Sequence, residues 1–164
     1  MHPAQLPVDE LLKSCEITLT RRSGPGGQHR NKVETAVVVT HMSTKIRGEA
    51  SEKRSQRLNR KQAIFRLRVK LALEIRTEAD QEPSFTWRRR VTGQRIYISG
   101  THEDFPGMLA EALNALDANE YSTRQAAEKM GVKTTQFVKV LKRDRAALLI
   151  VNRERKTRGK HPLR

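Results

Sequence analysis

The sequence is short of cysteine, of acid and of long apolar runs. Cys15 is the single cysteine in 164 residues. One thiol excludes an internal disulfide framework and a cysteine-rich zinc site, and a reducing cytoplasm is the expected compartment. No apolar run approaches the roughly 18 residues a membrane span needs, so no membrane association is expected. The opening MHPAQLPVDELLK has neither the basic-then-apolar pattern of a signal peptide nor the arginine-rich pattern of a transit peptide. An apolar share of 36% is lean. It still suffices for one domain, or one domain with an appendage. Acid is scarce: 18 Asp and Glu stand against 33 Lys and Arg, a net charge of +15. That balance disfavours an acidic-surfaced metabolic enzyme and favours a polyanionic partner.

The charge is clustered. Residues 21–76 hold 15 basic and 4 acidic groups, net +11, and residues 121–164 hold 13 and 3, net +10. Between them residues 77–120 carry a net −4. Two separated basic blocks imply two contacts with one polyanion; the plain alternative is a pair of solvated helix faces.

Periodicity and breakers predict an α+β chain. Residues 8–13 read as a short helix with an acidic first turn. Residues 16–20 alternate as a strand, 35–41 form a β-branched strand and 46–50 a third short one. A long helix is expected from a cap at Ser51 to near Arg76. Ala63, Ile64, Leu67, Leu71 and Ile75 form its apolar stripe, and Arg57, Arg60, Lys61, Arg66, Arg68 and Lys70 its basic face. SFTWRRR and RIYIS are expected to pair as a hairpin turning at Thr92-Gly93. A helix follows over 102–118. Ser122 or Thr123 then caps a short helix, Gly131 turns the chain, and Thr134 or Thr135 caps a second helix running on through Leu148 and Leu149. That pair has a helix-turn-helix pattern. From Val151 onward a basic tail is expected to fray. The chain divides as 1–80, 81–151 and 152–164.

The most informative residues are Gly24-Pro25-Gly26-Gly27-Gln28. Three glycines and a proline within four positions exclude helix and strand, leaving a loop. Gly26 and Gly27 admit positive φ and remove side chains from the tip. Such a tip can enter a narrow cavity and direct the Gln28 backbone N–H at a developing oxyanion. It is not a phosphate-cradling loop, because no Lys-Ser/Thr follows in frame.

Context makes the loop specific. Arg21, Ser23, Gly24, Gly26, Gly27, Gln28, His29, Asn31, Lys32, Thr35, Ala36, Val37, Thr40, His41 and Thr44 are followed by Arg54, Ser55, Gln56, Asn59 and Ala63. The stretch Arg21 to Leu67 resembles the catalytic domain of class I peptide chain release factors and of their short relatives that rescue stalled ribosomes. Four positions depart from that pattern: Arg22 replaces the usual Ser, Arg30 an aliphatic residue, Val38 an Arg, and Lys45 a Gly.

The resemblance implies an α+β domain with a mixed sheet, a long packed helix and a protruding Gly-Gly-Gln loop, extended by a hairpin and helices. It implies hydrolysis of the peptidyl-tRNA ester in the ribosomal peptidyl transferase centre. Gly26, Gly27 and Gln28 would be catalytic, with the Gln28 backbone N–H on the oxyanion and its side chain ordering water. Partners would be ribosomal RNA, the P-site peptidyl-tRNA and a glutamine methyltransferase acting on the Gln28 amide nitrogen. RNA contacts would fall to Arg21, Arg22, Arg30, Asn31, Lys32, Arg54, Gln56, Arg57, Arg60 and Lys61. A basic tail of Arg153, Arg155, Lys156, Arg158, Lys160 and Arg164 would add a second contact. The chain is expected to act as a monomer, with no cofactor and no metal. It is too short to add stop-codon-reading domains, so codon-independent release from stalled ribosomes is the expectation.

Other readings compete with this one. The helix-turn-helix pattern at 121–143 suggests a non-catalytic RNA- or DNA-binding protein, with Thr134 to Arg143 in a major groove; packing of two helices on the rest of the chain is the plainer alternative. His29 is read as supporting the loop or touching RNA, His41 and Cys15 as packed side chains, and Trp87 as a core cover on the hairpin ahead of a ring that stacks on a base beside Arg88–Arg90. Arg54, Ser55, Gln56, Asn59 and Arg60 divide between capping the helix and touching RNA.

Overall fold

The computed structural model describes residues 1–21 and 35–164. They form two compact units, Leu6–Leu71 and Met1–Gln5 with Ala72–Arg164.

In the first unit α1 (Val8–Leu12) leads into a meander of β1 (Cys15–Thr20), β2 (Ala36–His41) and β3 (Arg47–Ala50). All pairs are antiparallel, and β2 is central. The β-branched run Val37–Val39 therefore takes the most enclosed place, with Val37 and Val39 fully buried. The turn from β2 to β3 closes with Lys45 N–H donating to the His41 carbonyl at 2.8 Å. Lys45 has φ 60, the left-handed region where glycine is unstrained. A glycine would take this conformation freely, and Lys45 carries a strain that glycine would not.

α2 (Gln56–Glu74) buries Ala63, Ile64, Leu67 and Leu71 of the predicted stripe, while Ile75, its last member, lies past the helix end and is half-buried. Gly48 on β3 lies so close to it that a Cβ there would overlap the Ala63 and Leu67 backbones. The helix starts later than expected. Ser51 to Ser55 form a turn, and Ser55 Oγ accepts from Leu58 N–H at 3.4 Å as the cap. Sequence pattern alone missed this because the turn is fixed by Asn59, one turn inside the helix.

The second unit is built around α4 (Phe105–Ala118), buried continuously from Phe105 to Leu116. A helix buried on all sides needs apolar residues all round, which FPGMLAEALNALDA supplies. Its two buried polar groups are both engaged. Asn114 exchanges hydrogen bonds with Thr77 at 3.1 and 2.8 Å. Glu111 accepts from Ser84 N–H at 2.7 Å and Ser84 Oγ at 2.8 Å. Burial pushes the Glu111 carboxyl above its ordinary range, against the pull of Ser84. A 3₁₀ turn, Pro3–Gln5, which the sequence pattern did not reveal, also belongs to this unit. His2 beside it is buried, accepting from Ala4 N–H at Nδ1 (3.0 Å), with Nε2 3.2 Å from the Ile75 carbonyl.

Three expectations fail in this unit. SFTWRRR is not a strand: Ser84 accepts from Trp87 N–H and starts α3 (Phe85–Arg89). The hairpin shrinks to β4 (Val91–Thr92) and β5 (Arg95–Ile96), turning on Gly93 and Gln94 at φ 53 and 63. Two positive φ values suit a two-residue turn of the I′ kind. Trp87 is fully buried on α3, its Nε1 donating to the Met130 carbonyl at 3.0 Å. Secondly, the last predicted helix is two. Ser122 caps α5 (Thr123–Lys129) as expected, but α6 ends at Leu141 (Thr134–Leu141). Asp144 then accepts from Ala147 N–H to cap α7 (Arg145–Thr157).

Thirdly, the C-terminal residues do not fray. Asn152 exchanges two hydrogen bonds with the Leu163 backbone, at 3.0 and 2.7 Å. Arg155 donates to the Tyr121 carbonyl at 2.6 Å and Lys160 to the Glu120 carbonyl at 2.7 Å. Glu120 and Tyr121 both have positive φ, 48 and 59, and this turn leaves their carbonyls to be met by side chains. The predicted tail is therefore a strap.

Candidate functional site

Arg22, Gly26, Gly27, Gln28, Arg30, Asn31 and Lys32 lie outside the described residues. Their setting does not. The register of β1 and β2 runs from Cys15↔His41 to Thr20↔Ala36. The chain leaves the sheet at Thr20 and re-enters beside it at Ala36, so the 15 residues 21–35 start and finish at neighbouring points.

The returning end is fixed by one side chain. Asn59 is fully buried. Its Nδ2 donates to the Thr35 carbonyl at 2.7 Å and to the Lys53 carbonyl at 2.8 Å. Its Oδ1 accepts from Lys53 N–H at 2.9 Å. One amide thus ties the strand entry to the turn before α2 and to the helix itself. Both amide hydrogens are used, which leaves no ambiguity over which way the side chain points. The sequence left Asn59 divided between support and RNA contact; its burial assigns it to support. His41 has the same character: it is buried, 2.8 Å from Thr44 Oγ1, and burial lowers its pKa. Cys15 is half-buried with its pKa raised by burial, and its Sγ donates to the Leu11 carbonyl at 3.3 Å. A raised thiol pKa opposes a nucleophilic role.

The cations behave differently. Arg54, Arg57, Arg60 and Lys61 are exposed around the start of α2, as is Gln56. Arg66 is engaged, 2.6 Å from Glu52 and donating to the Glu49 carbonyl at 2.8 Å. In the C-terminal strap Arg158 pairs with Glu154 at 2.8 Å and lies over the Tyr121 ring at 4.6 Å. Arg155 and Lys160 hold backbone carbonyls. Arg153, 3.6 Å from Glu154, and Lys156 are exposed on α7. The sequence grouped these cations as one tail, whereas in the structure Arg155 and Lys160 fasten backbone carbonyls and the others are exposed. Among the described residues no cluster of His, Cys, Asp or Glu could hold a metal ion. No helix among them is long and apolar enough to cross a membrane.

The RF-1 domain family model matches residues 7–103, and the chain belongs to that family. Curated relatives agree. Peptide chain release factor PrfB1, chloroplastic, of Arabidopsis thaliana is 43% identical over 67 residues, 41% of this chain and 14% of the relative. Peptide chain release factor 1 of Xylella fastidiosa is 34% identical over 107 residues, 65% of this chain and 27% of the relative. The chain therefore spans about a quarter or less of the length of these relatives. No solved structure matches it.

Proposed function

We propose that the protein hydrolyses the ester joining a nascent peptide to P-site tRNA, using Gly26, Gly27 and Gln28 at the ribosomal peptidyl transferase centre. The carrying observation is a Gly-Gly-Gln segment spliced between register-paired strand ends inside an RF-1 domain. The Gln28 backbone N–H is placed on the oxyanion of the tetrahedral intermediate, a role needing no protein acid or base. Its side-chain amide orders the attacking water and is the site for N5-methylation by a glutamine methyltransferase. The exposed Arg54, Arg57, Arg60 and Lys61 support the reading, because they place positive charge on the helix that holds the strand entry. Arg21, Arg22, Arg30, Asn31, Lys32 and Gln56 complete this RNA-facing set. Release is codon-independent and acts on stalled ribosomes in the cytoplasm, with Arg153 and Lys156 adding contact from α7.

The test uses ribosomes holding peptidyl-tRNA on a truncated message, with a stop-codon complex in parallel. Release on the truncated message is expected, with a fall of at least about 100-fold for Gly27→Ala. Release confined to the stop-codon complex refutes codon independence. Equal release by Gly27→Ala refutes the catalytic assignment.

A further inference from the structure

Within the unit Ala72–Arg164, the short hairpin and α6 enclose a groove of about 500 Å³. Its walls carry Arg95 and Tyr97 on one side and Gln136, Lys139 and Arg143 on the other, over a floor of Ile96 and Ile98. The groove is built rather than incidental. Lys133 N–H donates to the Gln94 carbonyl at 3.2 Å, and Ile96 N–H donates to Gln136 Oε1 at 3.4 Å. These bonds pin the hairpin to the first turn of α6. At the far end Gly100 lies against Arg143, where a Cβ would come within 3.3 Å of the Arg143 carbonyl. Ile96 and Ile98 are each 6% exposed, so the floor is part of the core.

What faces outward is one sign of charge and one aromatic ring. Arg95, Lys139 and Arg143 are exposed, and no acidic residue lines the groove. No acid pairs with these three cations among the described residues. Tyr97 is 58% exposed beside them, in a chain that buries its Trp and its other Tyr almost completely. Cations along a groove with an open aromatic face are the combination that holds single-stranded nucleic acid, phosphates on the cations and a base on the ring. The volume lies in the range of pockets that enclose a small-molecule-sized group, such as one nucleotide.

The geometry points to this groove as a binding site for single-stranded RNA, separate from the Gly-Gly-Gln segment. Duplex DNA fits it less well. An exposed ring needs an unstacked base, which a duplex does not offer. Gln136, the side chain of α6 suited to reading an adenine edge, is occupied by Ile96 N–H. The choice of RNA over single-stranded DNA rests on the ribosomal function proposed above; the groove does not.

The test is fluorescence anisotropy on the full chain with a labelled single-stranded RNA of about ten nucleotides, and the same sequence as duplex DNA. Single-stranded RNA is expected to bind more tightly. Tyr97→Ala weakens it about tenfold and Tyr97→Phe leaves it unchanged, because stacking needs the ring and not the hydroxyl. Replacing Arg95, Lys139 and Arg143 together by Ala lowers the slope of log affinity against log salt by about 2, since each lost phosphate contact removes about 0.7. Tighter binding of duplex DNA overturns the inference. So does native affinity in Tyr97→Ala or an unchanged salt slope in the triple variant. Gly27→Ala separates the two assignments: it abolishes release if the catalytic proposal holds and leaves groove binding intact. Groove binding without any release by the native protein defeats the catalytic proposal alone, and release with groove variants that bind like native defeats this one alone.

Discussion

Asn59→Ala removes three hydrogen bonds with one substitution. The Thr35 and Lys53 carbonyls lose their donors, at 2.7 and 2.8 Å, and Lys53 N–H loses its acceptor at 2.9 Å. All three sit around a side chain with no solvent exposure. A polar group left unsatisfied in such a place costs about 1–3 kcal/mol. Taking the low end for each, because the partners are only partly buried, the loss is about 3 kcal/mol. That is about a 150-fold rise in the opening constant of the strand entry. Hydrogen exchange at Val37 and Val39, whose amides lie on β2 just inside Thr35, reads this directly. The Trp87 indole lies on α3, in the other unit, so its fluorescence serves as a check that the second unit remains folded. Asn59→Asp sharpens the result. A carboxylate keeps the Lys53 N–H acceptor but faces two carbonyl oxygens without a hydrogen to offer. Protection in that variant should be poorest at neutral pH and recover in part as the carboxyl gains a proton. Loss of protection below about 1 kcal/mol in Asn59→Ala refutes the clamp.

Two further outcomes follow from packing and titration. Gly48→Ala drives a Cβ into the Ala63 and Leu67 backbones and should lower stability by at least about 2 kcal/mol in urea unfolding; an unchanged midpoint would mean β3 does not lie against α2 as described. Glu111 has a carboxyl pKa raised by burial, so the folded chain holds that proton to higher pH than the unfolded chain. Stability should fall as pH rises from the ordinary carboxylate range through the raised value, and Glu111→Gln should remove that fall in a Tm-against-pH series. The same slope in both proteins would contradict it.

The sheet and its motif were readable because their signals are local. A β-branched run made β2, an alternating run made β1, and Ser122 capped α5. Most errors arose where a distant partner decided the local structure. Ser84 reads as the first residue of a strand until Glu111, 27 residues on, takes its hydroxyl and N–H; the serine then caps a helix through WRR. One error was local: Lys142-Arg143-Asp144 continues a helical pattern unless Asp144 is recognised as the cap of the next helix. The C-terminal cations look solvated until the carbonyls of Glu120 and Tyr121 are known to face them. For the candidate site, the Gly-Gly-Gln motif and the basic start of α2 were visible in the text. The groove at Tyr97 was not, because Arg95 and Lys139 are 44 positions apart in the sequence and are brought to one groove by the hairpin's bonds to Lys133 and Gln136.

The pairing of Thr20 with Ala36, with Asn59 holding the Thr35 carbonyl, also makes residues 22–34 a replaceable insert. A strand's inward and outward faces depend on register, and a slip of one residue exchanges them. Here the register is set by pairs from Cys15↔His41 to Thr20↔Ala36, none of which lies within the insert. Changes confined to residues 22–34 are expected to leave this register and the burial of Val37 and Val39 in place. Change in the segment to which chemistry is assigned above is thereby insulated from the fold that carries it, and the same junction offers a place to graft a different segment.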